Sequence, residues 1–313
     1  MQHWSLLHSL WQRHCDPAYK NTAPTNDARN WREEVQALYA MNISHPAALK
    51  FLTEQRPSAE NFQAWLLQAE RNYITLGVEN DDTATGDVLS PADLLCWEEN
   101  GYVVLKGAIS KQQCAHTAQA ILDCLDAQID SPASWYQPHP CKNGLMLQLS
   151  DHPRLNANRE SPRIRKAYEQ LYGHTAIYRT IDQVSFNPPE TAQFNFRGSA
   201  LHWDVSLALP IPDQFQGLLY LTDCGAHDGA FHCVPGFHRH IGNWLDNLPL
   251  AQNPRDVAPQ QLTAIPVVGE AGDFIIWHQA LPHCASPNHG MTPRMVQYLT
   301  YFQEGGEEQS EWK

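Results

Sequence analysis

Ile177-Tyr178-Arg179-Thr180-Ile181-Asp182-Gln183-Val184-Ser185-Phe186 is where the chain changes character. β-Branched and aromatic residues alternate with polar ones across it, the two-residue period of a half-buried strand. Pro188-Pro189 stops the pattern, because proline brings no donor to a ladder. Further strand signals follow at 200–209, 217–222, 230–234, 262–267, 273–277 and 294–302, each short and bounded by Gly, Pro, Asn or Asp. Such a series predicts an antiparallel double-sheet roll with helices packed outside it, an α+β fold with a mainly β core.

Working back from this stretch, the signals are helical. Ser161-Pro162 opens a helix through Tyr172, and Gly173 ends it. Residues 131–160, rich in Pro, Asn and Ser, are predicted to be a long loop. Ser110-Lys111-Gln112-Gln113 is a capping box for a helix to about Ile129. Ser90-Pro91-Ala92-Asp93 caps another, which stops at Asn100-Gly101 before the short strand Tyr102-Val103-Val104-Leu105. Residues 1–88 read as an N-terminal helical extension packed on a main domain of residues 89–313. Within it, 27–41 carries Trp31, Val35, Leu38 and Tyr39 at helical spacing, Ser44-His45-Pro46 starts a second helix, and 58–72 places Phe62, Trp65, Leu66 and Ala69 on one face. Glu79-Asn80-Asp81-Asp82-Thr83 is a polar connector. The extension is a packing layer or, more sharply, a substrate lid or dimer surface; no residue in the sequence decides between them.

Composition narrows the class. The chain has 313 residues, 42% hydrophobic and 18% charged, with a formal net charge of −13. That balance suits a globular protein with a sizeable core and disfavours nucleic acid and anionic membrane as partners. No apolar run is long enough for a membrane span, no secretory signal is visible, and the C-terminal Glu311-Trp312-Lys313 is not a peroxisomal address. None of the eight cysteines forms a C-x-x-C pair, so reduced thiols and a cytoplasmic location are expected.

Sixteen histidines offer many coincidental neighbours, and one tripeptide among them carries chemistry: His202-Trp203-Asp204. On a strand, positions i and i+2 share a face, so both side chains would project together while Trp203 packs the other way. One more imidazole would complete a 2-His-1-carboxylate face, the ligand set of non-haem Fe(II) oxygenases, which leaves positions open for cosubstrate and O2. His278, His283 and His289 are the candidates for the third ligand. His227, His232, His238 and His240 read as loop, core or turn residues, and Cys284 faces away from its neighbour His283.

The ordered set of motifs resembles the phytanoyl-CoA dioxygenase-like family of Fe(II)/2-oxoglutarate oxygenases over residues 90–302. The carriers are the Asn100-Gly101-Tyr102-Val103-Val104-Leu105 block, His202-x-Asp204, the turn Pro235-Gly236-Phe237-His238, and His283…Pro287-Asn288…Arg294. The resemblance implies a double-stranded β-helix, a cupin-like jelly roll. It selects His283 to bind Fe(II) with His202 and Asp204, and Arg294 to fork onto the far carboxylate of 2-oxoglutarate, which a planar guanidinium matches through two parallel hydrogen bonds. Gln183, Asn187 and Ser286 fall at positions that approach the cosubstrate in relatives. Pro189 stands where relatives often carry Lys, Ala285 where many carry Ser, and Phe237 where Ser is common.

With Asp204 present, the resemblance implies hydroxylation, desaturation or cyclisation rather than halogenation, which replaces that carboxylate. The expected substrate is a small metabolite. An acyl-CoA is the alternative, for which Lys142, Arg154 and Arg159 are the nearest basic residues, and a non-catalytic binding module on the same roll is the rival class.

Overall fold

The computed structural model describes residues 3–19, 28–72, 86–196, 198–249, 251–306, 309 and 311–313. The connector Glu79-Asn80-Asp81-Asp82-Thr83 lies outside them. Four helices come first: α1 (Trp4–Cys15), α2 (Ala28–Ala40), α3 (His45–Gln55) and α4 (Ala59–Asn72). They enclose a core of their own, with Leu7, Leu38, Leu52, Phe62 and Leu66 fully buried. Each such side chain contributes about 1.5–3 kcal/mol by leaving water. Ser44 caps α3 by accepting from the Ala47 N–H, with Pro46 in the first turn where its missing donor costs nothing. Hydrogen bonds fasten this layer to the rest: Arg179 donates to Asn42, Arg32 donates to the Gly306 carbonyl at 2.8 Å, and Ser150 donates to the Ser44 hydroxyl at 3.0 Å.

Both capping boxes form, opening α5 (Pro91–Asn100) and α6 (Lys111–Cys124), with β1 (Tyr102–Leu105) between them. The second helix stops short of Ile129. Leu125 and Ala127 are buried, and the chain turns through Asp126 in left-handed geometry to place them there. Residues 131–160 are not one loop. They contain a 3-10 turn at 132–136, a hairpin of β2 (Lys142–Asn143) and β3 (Met146–Leu147), and α7 (Pro153–Arg159), capped by His152. Pro132 and Pro153 open the 3-10 turn and α7 at their first positions, while Asn156 and Asn158 are buried within α7. Then α8 (Pro162–Tyr172) ends at Gly173, as expected.

The opening stretch is two strands, β4 (Ile177–Arg179) and β5 (Val184–Asn187). Next come β6 (Phe215–Tyr220), β7 (Phe231–Cys233), α9 (Ile241–Asp246), α10 (Pro254–Gln261), β8 (Ile265–Val267), β9 (Phe274–His278) and β10 (His283–Ala285). The expected strand 294–302 is likewise two, β11 (Arg294–Tyr298) and β12 (Tyr301–Gln303). The two breaks face each other: the Thr180 N–H donates to the Thr300 carbonyl at 2.9 Å, and the Thr300 N–H to the Thr180 hydroxyl at 3.2 Å. Each half therefore joins a different sheet, which alternation within one strand cannot reveal. The expected strand 200–209 is absent apart from a single bridge at His202.

All pairings are antiparallel. A seven-stranded sheet runs β1-β9-β6-β11-β5-β3-β2, a three-stranded sheet β10-β7-β8, and β12 pairs with β4. Side-chain alternation sorts the large sheet into two cores. Phe274, Ile276 and Leu219 pack toward α6 and α8, whereas Ile275, Trp277 and Leu218 face the small sheet inside the roll. Arg294 shares its face with Val296, which belongs to that inner core. Among the described residues no helix is long and apolar enough to cross a membrane, and none of the eight cysteines is in a disulfide.

Candidate metal centre

His202, Asp204 and His283 converge where the segment before β6 meets β10. Their ligand atoms all lie within 4.8 Å of one another. The backbones of His202 and His283 exchange both hydrogen bonds, at 3.0 and 2.9 Å. This one bridge, rather than a continuous strand, sets the two imidazoles side by side with ring centroids 4.6 Å apart. Trp203 turns the other way, as alternation predicts, and is buried with its indole N–H on the Ala280 carbonyl at 2.9 Å. Arg255 holds the segment from outside, donating to the carbonyls of Trp203 and Val205, both at 2.7 Å. The backbone on either side of Asp204 is thereby held.

The tautomers suit metal binding. The Nδ1 atoms of His202 and His283 lie 2.8 and 3.1 Å from the carbonyls of Ala200 and Leu281, two residues back in each case. Donation from Nδ1 turns both Nε2 atoms toward Asp204, at 3.4 and 3.2 Å, so that Nε2 is the atom each imidazole offers to a metal. Burial pushes the Asp204 carboxyl up, but hydrogen bonds from His202 and His283 outweigh it and hold the group far below the usual carboxylate range. Its hydrogen bond to Asp204 raises the His202 imidazole against a smaller opposing effect of burial. Two imidazoles and a carboxylate gathered this closely are a donor set that fits a divalent metal.

Sequence reasoning missed Gln216 on β6, whose Nε2 donates to Asp204 Oδ2 at 3.1 Å. A lone Gln in a strand carries no signal; only the fold brings it to the carboxylate. Phe231 and Trp277 hold the His283 ring, with centroids 5.6 and 5.4 Å away.

Arg294 is buried in the same cavity of about 1160 Å³ that reaches the triad. Its Nη2 donates to the Ser185 hydroxyl at 3.4 Å, a long bond, and its Nε has no partner among the described residues. Gln214 Nε2, Gln216 Oε1 and Trp277 Nε1, on residues lining the same cavity, are also buried without partners. An unpaired buried guanidinium is costly. The donors among them, Arg294 Nε, Gln214 Nε2 and Trp277 Nε1, are groups that a bound carboxylate would satisfy.

The remaining expectations divide. Gln183 lines the cavity. Asn187 and Ser286 engage each other instead: the Asn187 amide donates to the Ser286 carbonyl at 3.3 Å, and the Ser286 hydroxyl donates to the Ala230 carbonyl at 3.3 Å. The competing histidines are occupied elsewhere, His278 with Asp213 at 3.1 Å and His289 with Glu190 at 3.4 Å. Cys284 is not part of the ligand group. Lys142 and Arg159 do not present charge at a mouth. Lys142 donates to the carbonyls of Trp135 and Gln137, and Arg159 is buried, donating to Asn156 and the Asp182 carbonyl.

Comparison with known proteins gives the family and the fold. The family profile of phytanoyl-CoA dioxygenase matches residues 97–296, well over half of the chain. A Dictyostelium discoideum protein carrying the phytanoyl-CoA dioxygenase name is 20% identical over 259 residues, 66% of this chain and 73% of its own. Among solved structures, the non-haem α-ketoglutarate-dependent carbocyclase SnoK of nogalamycin biosynthesis aligns with a TM-score of 0.51 at 20% identity, covering 73% of this chain and 87% of that one. The apo form of EctD from S. alaskensis gives 0.51 at 18% identity, over 74% and 83%. The epimerase SnoN, solved with Fe3+, α-ketoglutarate and nogalamycin RO, gives 0.51 at 17%, over 68% and 82%. At these identities the likeness to the solved structures is one of fold.

Proposed function

The chain belongs to the phytanoyl-CoA dioxygenase family, and on that premise we propose that it is an Fe(II)- and 2-oxoglutarate-dependent oxygenase that hydroxylates an unactivated C–H of a small molecule. The observation that carries the reading is the convergence of His202, Asp204 and His283 at one wall of a cavity that also holds the buried guanidinium of Arg294, whose Nε has no partner among the described residues. His202 and His283 would present Nε2 and Asp204 a carboxylate oxygen to the metal. Arg294 would bind the distal carboxylate of 2-oxoglutarate, whose charge offsets its own. When bound, iron, 2-oxoglutarate and O2 supply the oxidising power that turns C–H into C–OH, with release of succinate and CO2.

What the chain itself does is positioning. The carbonyls of Ala200 and Leu281 orient the two imidazoles, Gln216 holds the Asp204 carboxylate, and Arg255 holds the backbone on either side of it. Lys142 and Arg159 are engaged internally, which leaves Arg154 alone of the three candidate cations to meet the phosphates of a CoA thioester and favours a small metabolite.

The test is anaerobic titration of the protein with Fe(II) and 2-oxoglutarate. A weak visible metal-to-ligand charge-transfer band is expected, lost in Asp204→Ala and, for the 2-oxoglutarate dependence, in Arg294→Ala. A band unchanged in both variants, or no band in the wild type, overturns the reading. Succinate release across a metabolite panel then identifies the substrate.

A further inference from the structure

The break between β4 and β5 turns Thr180, Ile181, Asp182 and Gln183 out of the sheet and onto the cavity wall. One of them is a carboxylate with no ion-pair partner. Asp182 accepts a hydrogen bond from the Thr180 hydroxyl through Oδ2. Its Oδ1 has no hydrogen-bond partner among the described residues, and no Lys, Arg or His nitrogen among them lies within ion-pair distance of the group. The nearby Arg159 is directed to the Asp182 backbone carbonyl and to Asn156. Burial raises the Asp182 carboxyl, and the hydrogen bond from Thr180 and the charge of Arg159 only partly offset this. A carboxylate left in that state is stabilised by a cation from outside the chain.

Its surroundings suit an organic cation. Across the cavity from the sheet stands one face of α2, with Trp31, Val35 and Tyr39, and next to it His45 at the start of α3. Tyr178 and Phe302, from the strands flanking the break, add two more rings, 6.1 Å apart and edge to face. Asp182 and Tyr39 line the same cavity, and the charge of Asp182 adds to burial in raising the Tyr39 phenol. The other charged groups on the cavity wall are accounted for. Asp204 and Arg294 belong to the metal centre, Arg32 donates to the Gly306 carbonyl, and Glu311 adds a second negative charge. An anion within a wall of aromatic faces is the chemistry that binds ammonium groups.

We propose that Asp182, with Trp31, Tyr39, Tyr178 and Phe302, forms a subsite for a cationic amine, so that the substrate is a small molecule with an ammonium group held here and its reacting carbon directed toward the triad. The helical layer is then the wall that completes the substrate site. The direction of the reacting carbon rests on the oxygenase reading; binding of the cation does not.

The test uses the full chain without added metal and two probes of equal shape, choline and its neutral isostere 3,3-dimethylbutan-1-ol, followed by calorimetry and by tryptophan fluorescence. Choline is expected to bind saturably and about tenfold more tightly than the isostere, the ratio a partly desolvated cation–carboxylate–π contact supplies. Asp182→Asn, which keeps shape and the Thr180 contact, should abolish that preference. Trp31→Ala, at a position 55% exposed, should weaken choline several-fold without unfolding the chain. Equal binding of the two probes by the wild type, or a preference that survives Asp182→Asn, overturns the proposal. The Fe(II)/2-oxoglutarate band is measured separately on each variant. Its presence alongside failed cation binding rejects the subsite alone, and its absence alongside successful binding rejects the oxygenase reading alone.

Discussion

His202 and His283 face each other as a single antiparallel bridge, each donating its N–H to the other's carbonyl at 3.0 and 2.9 Å. Among the described residues nothing else pairs the 200–209 segment into a sheet. The geometry of the centre therefore depends on a few local fasteners, and each makes a prediction.

Gln216 is one of them. It donates to the same Asp204 oxygen that lies 3.2 Å from His283 Nε2. Gln216→Leu removes the donor and leaves the carboxylate free to rotate. Fe(II) affinity, measured by competition with a chromogenic chelator, should fall about 10–100-fold, the usual effect of losing a group that orients a ligand. Asp204→Ala should fall further. A Gln216→Leu protein with wild-type affinity would remove Gln216 from this role.

Arg294 gives a prediction with two signs. Buried with a partnerless Nε, its guanidinium costs stability until an anion arrives. Arg294→Met should leave the melting temperature of the ligand-free protein unchanged or raise it, by up to about 1–4 kcal/mol of stability. Saturating 2-oxoglutarate should stabilise the metal-loaded wild type by about 2.7 kcal/mol at one hundred times its Kd, and the variant not at all. Thermal melts with and without 2-oxoglutarate read both effects.

The block at the end of α5 is built on contact with the Pro235-Gly236-Phe237-His238 turn. Gly101 has φ +73°, and a Cβ there would lie 2.4 Å from His238 Nδ1. Gly101→Ala should cost about 2–3 kcal/mol, combining left-handed strain with displacement of the ring. Urea denaturation measures it. The double variant Gly101→Ala with His238→Ala should recover the steric part.

The same histidine predicts the acid limb of stability. Burial, then the nearby charges of His278 and Arg239, push His238 down to about 4 from its usual 6.5. Between those values the unfolded chain binds the proton and the folded one does not, so stability falls with pH across this window. The contribution is complete above 6.5 and lost below about 4. Screening reduces it to on the order of 1–2 kcal/mol. His238→Gln should flatten the urea midpoint against pH between 6.5 and 4 relative to wild type.

Local chemistry was legible in the chain itself. Capping boxes at Ser90 and Ser110, the Gly101 and Gly173 stops, and the alternation inside β6, β9 and β11 depend on neighbours within a few residues, so their positions follow from sequence. The candidate ligands were legible too, because resemblance to a family aligns motifs that the linear order preserves. What could not be read was anything decided between distant segments. Alternation across 177–186 and 294–302 is the same whether each is one strand or two. Only the mutual contact of Thr180 and Thr300 breaks both. That break carries Asp182 to the cavity, Gln216 reaches Asp204 only through the closing of the roll, and α2 meets the cavity only once the helical layer docks. Secondary structure is set by short-range sterics and hydrogen bonding, whereas a site is a meeting of side chains that the chain separates, and only tertiary packing arranges that meeting.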